Sequence, residues 1–157
     1  MIEGLFLSVE RGAAQQACRH LDLLAGQGVC GDRHAGRADW PGQNLTLVEA
    51  EEIEAFCQLS AHPFDLSLTR RNVVTRGIRL NPLLGQRFRI GTCEFIGVEL
   101  CEPCRTLGKR LENERLSGPE VVKHWLGRGG LRVDVLEGGR IALGDSLIVI
   151  ESAGADR

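Results

Sequence analysis

The stretch Gln86-Arg-Phe-Arg-Ile-Gly-Thr-Cys-Glu-Phe-Ile-Gly-Val-Glu-Leu100 decides the fold class that the sequence predicts. Two apolar runs in it, Gln86–Ile90 and Cys93–Leu100, are separated by Gly91-Thr92, which is the pattern of a β-hairpin. Other short apolar runs, separated by Gly, Asn, Asp or Pro, recur along the whole chain. The further predicted strands are Ile2–Val9, Leu45–Val48, Asn72–Thr75, Leu131–Leu136 and Leu147–Ile150.

Two predicted helices interrupt these strands. Thr46–Glu49 has the spacing of a capping box, and apolar residues at helical intervals up to Ser60 predict about three helical turns after it. Ser117–Glu120 repeats the start signal with a proline in the first turn, and this shorter helix is expected to end at Gly127. Leu21–Leu24 fits either a short helix or a strand. Because the helices do not alternate regularly with the strands, we predict a mainly β, β-barrel-like fold with a few inserted short helices.

Length and composition narrow the class of protein. A chain of 157 residues is the size of one domain, which we expect over residues 2–150, with a flexible tail over 151–157. The formal charge of -2 and the aromatic content of 4% argue against nucleic-acid binding. No apolar run is long enough for a membrane span, and the first residues do not resemble a signal peptide. We therefore expect a cytoplasmic protein whose six cysteines are reduced.

The sharpest chemical signal is Cys101-Glu-Pro-Cys104, two thiols at the end of a predicted strand. One interpretation is a zinc site that Cys30 and His34 complete. A second is a dithiol redox couple, and a third is a single exposed thiolate that binds a soft metal or carries sulfur. Both thiols also fit the inert, buried role that is common for cysteine.

Three further segments combine polar side chains with glycine. Arginines at the ends of a strand can bind phosphate or carboxylate groups bidentately, an asparagine can hydrogen-bond a heterocycle, and glycines let a ligand come close to the backbone. Each segment also fits a structural role as a solvated turn, a basic strand start or a helix end. The candidate cofactor-binding residues in these segments are Asp32, His34, Arg70, Arg71, Asn72, Arg76, Arg128, Gly129 and Gly130.

The combination and order of these motifs is more specific than any one of them. The motifs are Gly-Asp-Arg-His-Ala-Gly at 31–36, Thr-Leu-Val-Glu-Ala at 46–50, Arg-Arg-Asn-Val-Val-Thr-Arg-Gly at 70–77, Leu-Leu-Gly-Gln-Arg-Phe-Arg-Ile-Gly at 83–91, Cys-Glu-Pro-Cys at 101–104, Arg-Gly-Gly-Leu at 128–131 and Gly-Asp at 144–145. Together they resemble the MOSC domain, which occurs at the C-terminus of molybdenum cofactor sulfurases and as small stand-alone bacterial proteins. The resemblance covers about residues 2–150. It implies a β-barrel-rich fold, a conserved cysteine, and either binding of the molybdenum cofactor or handling of sulfur for metal sites.

Within this resemblance Cys104 matches the family cysteine, and Cys101 is an extra thiol. The resemblance implies a molybdopterin-binding protein in which Cys104 is the metal ligand, with Cys104 and Cys101 as candidate catalytic residues of a molybdenum-dependent oxidoreductase. One alternative is a sulfurtransferase-type carrier that holds a persulfide on Cys104, and another is a zinc-stabilised binding module. A cysteine desulfurase or an electron-transfer protein would be the partner. Pyridoxal phosphate is not expected on this chain.

Overall fold

The computed structural model describes residues 1–10, 13–32, 35–36 and 41–150, and in this part of the chain eleven strands and three α-helices are formed. The strands are β1 Ile2–Leu7, β2 Gln16–Ala17, β3 His20–Leu24, β4 Gly28–Val29, β5 Leu45–Glu49, β6 Val73–Thr75, β7 Arg87–Ile90, β8 Cys93–Leu100, β9 Leu131–Glu137, β10 Gly139–Ala142 and β11 Leu147–Val149. The helices are α1 Ala50–Ser60, α2 Arg105–Leu111 and α3 Gly118–Trp125, with a 3₁₀ turn at Asn81–Leu83. The expected tail, 151–157, lies outside the described residues.

The main sheet has eight strands in the order β11-β7-β8-β9-β5-β6-β1-β2, and a smaller sheet has three in the order β10-β3-β4. The main sheet curls into a half-barrel around a core that both sheets line. Most neighbouring strands are antiparallel, whereas β5 and β6 are parallel. The prediction of a mainly β fold with short inserted helices is therefore confirmed. No helix among the described residues has both the length and the apolar character needed to cross a membrane.

The predicted hairpin forms as β7 and β8, which are antiparallel with Ile90 opposite Cys93. Phe88 and Phe95 face each other across it with ring centroids 5.4 Å apart, and both side chains are fully buried. Leu21–Leu24, which the sequence left ambiguous, lies in β3, where buried and exposed residues alternate. Period-two burial on a short segment is the mark of a half-buried strand.

The helix starts only partly match their signals. Ser117 and Glu120 form the predicted capping box at the start of α3. The capping box predicted at Thr46–Glu49 is wrong, because Thr46 lies inside β5 and α1 follows that strand directly, with Glu49 as its N-cap and no side-chain cap. Helix α2 has no counterpart among the predicted helices.

A second core lies between the helices and the sheet, and it fixes α2 in position. Its largest side chains, Phe56 and Trp125, are fully buried with ring centroids 5.3 Å apart. The two short helices α2 and α3 approach closely at Gly108, where an added Cβ would lie 2.7 Å from the carbonyl oxygen of Gly118. Close packing of α2 on α3 therefore determines where Cys104, the N-cap residue directly before α2, presents its side chain.

Candidate functional site

A cleft of about 350 Å³ lies where the start of α2 meets the segment before β6. It brings together five of the residues that the sequence singles out, which come from distant parts of the chain. These residues are Asp32, Arg70, Arg71, Asn72 and Cys104. His34 lies outside the described residues. Residues that served only a solvated turn or a basic strand start would have no reason to converge on one cavity, so the cleft is the candidate site.

Cys104 is the exposed thiol of this cleft and the N-cap residue of α2. Its sulfur makes no cap hydrogen bond of normal geometry. The first-turn N–H groups of the helix instead favour the ionised form: the N–H of Leu107 lowers the pKa of the Cys104 thiol most. The N–H and hydroxyl of Thr106 and the charge of Arg71 lower this pKa further, and partial burial opposes them. Cys104 is thus a thiol with enhanced thiolate character at an accessible position.

Cys101 is placed very differently from Cys104. Its side chain is 1% exposed, and burial raises its pKa. The backbone runs from Cys101 to Cys104 without a turn or bend that would fold one thiol back onto the other, and an extended span of this length separates the Cα atoms by up to about 10 Å. A disulfide requires a separation below about 7 Å. The geometry therefore disfavours the dithiol couple and leaves Cys104 as the reactive thiol.

Four arginines and two carboxylate residues line the cleft. The arginines are Arg70, Arg71, Arg110 and Arg132, and the carboxylates are Asp32 and Glu102. Arg132 is also 3.5 Å from Glu99. Within the described part of the chain, no carboxylate pairs with the other three arginines. Burial lowers the pKa of Arg110, and the charges of Arg70 and Arg71 lower it further. The three cations repel one another, and a bound anion would relieve that repulsion.

Arg70 has a left-handed backbone conformation with φ of 58°. This region is unfavourable for a residue with a Cβ, and such residues are concentrated at functional sites. Its guanidinium Nη2 donates a 2.6 Å hydrogen bond to the carbonyl oxygen of Ala13. The neighbouring Arg71 donates through Nε to the carbonyl oxygen of Gly129 at 3.1 Å. Each arginine is thus held by one backbone carbonyl and keeps other N–H groups for a ligand.

Asn72 lines the cleft, but its polar atoms bind the protein itself. Its amide oxygen accepts hydrogen bonds from both the backbone N–H and the hydroxyl of Thr46, each at 3.2 Å. Its amide nitrogen donates to the carbonyl oxygen of Phe6 at 3.2 Å. Asn72 therefore joins β5 to β1 below the cleft. The hydrogen bond to a heterocycle that the sequence suggests would compete with these contacts.

Asp32 is buried at the edge of the cleft. Its carboxylate accepts a 2.8 Å hydrogen bond from the backbone N–H of Ser8, which follows β1. The contact attaches the loop before β5 to the end of β1. Asp32 thus helps to shape the wall of the cleft and contributes negative charge there.

Arg76 and Arg128 lie away from this cleft. Arg71 and Arg76 lie beyond opposite ends of the three-residue strand β6, so up to about 16 Å of chain separates them. Arg76 forms ion pairs with Glu3 and Glu54. Arg128 lies 3.7 Å from Glu52 and contacts His124, in keeping with the structural role at the end of α3.

Gly129 and Gly130 allow a close approach of the chain to its own backbone. A Cβ at Gly129 would lie 2.1 Å from the carbonyl oxygen of Cys101, and one at Gly130 would lie 1.9 Å from that of Leu47. Gly130 also has a φ of 103°, which favours glycine. These glycines support the cleft indirectly, because the carbonyl of Gly129 holds Arg71.

Several residues of the cleft were not found from the sequence. Thr69 immediately precedes the arginine motif, and this position was the one feature of the sequence from which it could have been found. Arg110 and Thr106 are on α2 and could not be placed without that helix. Gln15 lies in a stretch with no recognisable motif. The additional lining residues are Ser8, Gln15, Gln43, Thr46, Thr69, Glu102, Pro103, Thr106, Leu107, Arg110 and Arg132.

The zinc interpretation finds little support in the described part of the chain, which contains no group of three or more metal ligands. Cys30 lines a second cavity, of about 480 Å³, together with Cys18, His20 and Asp22. It is therefore separate from the cleft that contains Cys104.

Comparison with known proteins agrees with the fold. The structure is similar to the YuaD protein from Bacillus subtilis, with a TM-score of 0.80, 21% identity, and coverage of 94% of this chain and 93% of that one. It is also similar to YiiM from Escherichia coli, with a TM-score of 0.70, 16% identity, and coverage of 96% and 70%. YiiM from Geobacillus stearothermophilus gives a TM-score of 0.69, 16% identity, and coverage of 98% and 74%.

Sequence comparison gives two further results. No curated protein matches the chain. The family model of the MOSC domain matches residues 31–148, which include Cys104 and the arginine motif. The match spans well over half of the chain, and the chain therefore belongs to the MOSC domain family.

Proposed function

We propose that the cleft binds the molybdenum cofactor, with the Cys104 thiolate as a protein ligand of the metal. The observation that carries this proposal is the presence of an accessible, low-pKa thiol in the same cleft as three arginines without carboxylate partners among the described residues. Molybdenum held by a pterin dithiolene is a soft-ligand centre, for which a thiolate is an appropriate further ligand. The phosphate of the cofactor needs Arg or Lys side chains, and the cleft supplies them.

The polar lining of the cleft also fits this group. Buried hydroxyl and amide oxygens need hydrogen-bond partners. The Thr69 hydroxyl and the Gln15 amide oxygen have none in the described structure, although both residues line the cleft. A ligand with both anionic and neutral polar groups would satisfy them. When bound, the cofactor would supply two-electron redox chemistry at the metal.

The residues of this chain would bind and orient the cofactor in distinct ways. The first-turn N–H groups of α2 lower the pKa of Cys104 and so favour the thiolate, which is the form that binds metal. Arg70, Arg71 and Arg110 would hold the phosphate, and Asn72 keeps the strands below them in register. The substrate of such a site would be reduced with electrons from a partner protein.

A sulfur carrier is the second candidate, and the exposure of Cys104 favours it. In this reaction the Cys104 thiolate attacks the terminal sulfur of a cysteine desulfurase persulfide. The donor S–S bond breaks, the donor cysteine leaves as a thiolate, and Cys104 becomes a persulfide. All six cysteines are free thiols, as both candidates need Cys104 to be, and free thiols are the rule in a reducing compartment.

Metal analysis and intact mass of protein from a molybdenum-replete host separate these candidates. Stoichiometric molybdenum supports the cofactor site, a mass increase of one sulfur atom supports the carrier, and stoichiometric zinc supports the binding module. Cys104→Ser should remove the molybdenum or the sulfur, and Cys101→Ser is the matched control that should keep it. Full molybdenum and sulfur loading in Cys104→Ser would refute both leading candidates.

A further inference from the structure

Two buried polar atoms of the cleft have no hydrogen-bond partner in the described part of the structure. One is the hydroxyl of Thr69, a residue that is only 2% exposed, and the other is the amide oxygen of Gln15. Both residues line the cleft that contains Cys104. Buried polar atoms nearly always have a hydrogen-bond partner, so two such atoms without one beside a cavity indicate that a ligand supplies the missing hydrogen bonds.

The local hydrogen bonds fix which end of Gln15 remains for a ligand. Its amide nitrogen donates a long, 3.5 Å hydrogen bond to the carbonyl oxygen of Arg71. Arg70 joins the same two segments through its hydrogen bond to Ala13. The Gln15 nitrogen is therefore engaged by the protein, and its oxygen is left as an acceptor for an N–H or O–H of the ligand.

The surroundings of Thr69 favour an anion. Thr69 directly precedes Arg70 and Arg71, and Arg110 reaches the same region through a 3.3 Å hydrogen bond to the carbonyl oxygen of Leu68. None of these arginines pairs with a carboxylate in the described residues. A hydroxyl beside three guanidinium groups is the donor set that binds an oxyanion with more than one charge.

We propose that the Thr69 hydroxyl and the three arginines form an oxyanion subsite, and that the Gln15 oxygen accepts a hydrogen bond from a neutral part of the same ligand. The ligand class is a phosphate ester or similar dianion that carries an N–H or O–H donor. This inference rests on the proposed function only for the identity of the ligand. If the ligand is the molybdenum cofactor, the oxyanion is its phosphate and the hydrogen-bond donor to Gln15 belongs to its pterin.

The oxyanion subsite is tested with inorganic phosphate on protein freed of bound ligand, by isothermal titration calorimetry. Thr69→Val should weaken phosphate binding about tenfold, because a hydrogen bond to a charged group is lost. Thr69→Ser restores the hydroxyl and should bind within about threefold of the parent protein. Arg110→Gln should lose at least about tenfold. Arg105→Gln is the matched control on the same helix, outside the cleft, and should change binding less than about twofold.

Thermal unfolding without phosphate separates a binding role of Thr69 from a structural one. Thr69→Val removes a buried hydroxyl that has no partner and keeps the side-chain shape, so its melting temperature should equal or exceed that of the parent protein. Lower affinity at unchanged or higher stability is the expected combination. Parent-like phosphate affinity in folded Thr69→Val, or equal weakening in Thr69→Ser, would overturn the inference.

The Gln15 contact is tested by the pterin fluorescence and the molybdenum content of protein as purified. Gln15→Met should retain less pterin and bind inorganic phosphate like the parent protein, because the proposal assigns the Gln15 oxygen to a neutral part of the ligand that inorganic phosphate lacks. If phosphate binding follows the expected pattern but the parent protein contains neither pterin nor molybdenum, the proposed function fails and the oxyanion subsite stands. If the parent protein contains both and Thr69→Val and Gln15→Met retain them fully, the inference fails and the proposed function stands.

Discussion

Replacement of Asn72 by alanine tests whether this cleft residue acts on the fold or on the ligand. The substitution removes the acceptor of the Thr46 N–H and hydroxyl and the donor to the Phe6 carbonyl. All three partners are backbone or hydroxyl groups of strands that cross below the cleft. Loss of these contacts in a half-buried place costs about 1 kcal/mol each, so Asn72→Ala should lower the free energy of unfolding by about 2–3 kcal/mol. For a domain of this size that is a fall of roughly 4–12 °C in melting temperature.

The measurement is chemical denaturation followed by circular dichroism, with calorimetric melting as a second readout. Asn81→Ala is the matched control, because the side chain of Asn81 donates a single hydrogen bond, at an exposed place, to the carbonyl oxygen of Gly127. Its loss should cost less than about 1 kcal/mol. Thr46→Val completes a double-mutant cycle with Asn72→Ala, and the two costs should be less than additive because the residues share a contact.

Binding then separates the two roles of Asn72. Folded Asn72→Ala should bind phosphate within about threefold of the parent protein, since the amide is already engaged by the strands. A variant with the parent melting temperature and a lost ligand would refute the argument, because it would make Asn72 a ligand contact with no part in joining the strands.

Four other perturbations follow from the structure. Gly130→Ala should prevent stable folding, because its Cβ would lie 1.9 Å from a carbonyl oxygen. Gly127 has open space around it, so Gly127→Ala should lower the free energy of unfolding by only about 1–2 kcal/mol, the cost of a left-handed backbone for a residue with a Cβ. Soluble yield and chemical denaturation of the two variants test this difference. Alkylation of Cys104 by iodoacetamide, followed by peptide mass, should have its midpoint below pH 9.0, and a midpoint at or above that value would contradict the lowered thiol pKa. The free energy of unfolding of Arg70→Gly should exceed that of Arg70→Ala by about 1–2 kcal/mol, because only glycine is unstrained at a φ of 58°. Equal free energies of unfolding would show that the backbone at this position is not strained. Burial raises the pKa of Glu49 above its ordinary value of 4.5, so the folded state favours the neutral form of this carboxyl. Glu49→Gln should therefore be more stable than the parent protein near neutral pH in melting experiments, and this difference should shrink as the pH falls through the raised pKa and be small by about pH 4.5.

The sequence predicted those features of the fold that depend on local pattern. The β7–β8 hairpin has its turn at Gly91-Thr92, and the capping box at Ser117 is self-contained within four residues, so neither needs the rest of the chain. The capping box predicted at Thr46–Glu49 was wrong because the same spacing can occur inside a strand. Only the pairing of β5 with β6 and β9 determines that Thr46 lies in a strand. Helix α2 was not predicted, since a glycine in the middle of a short segment disfavours a helix. In the structure, the lack of a side chain at Gly108 is what allows α3 to pack closely against α2.

The sequence predicted several residues of the candidate site, but not how the fold arranges them in space. Cys104 and Arg71 were distinctive residues, and the fold brings them into one cleft. Arg76 was grouped with them because it is close in sequence, but an extended strand carries it to the opposite end, where two glutamates pair with it. Gln15 acquires its importance only from contacts across more than fifty residues of chain, which no local pattern encodes.

The place of β1 in the main sheet bears on how this domain can be divided. The family match begins at residue 31, yet β1 is an interior strand, paired with β6 on one side and β2 on the other. A fragment cut at the start of that match would leave β6 with an open hydrogen-bonding edge, and such edges recruit other chains into aggregates. It would also lose Ser8 and Gln15 from the cleft wall. The first thirty residues are therefore part of the smallest unit that could be fused to another protein or grafted with its pocket intact.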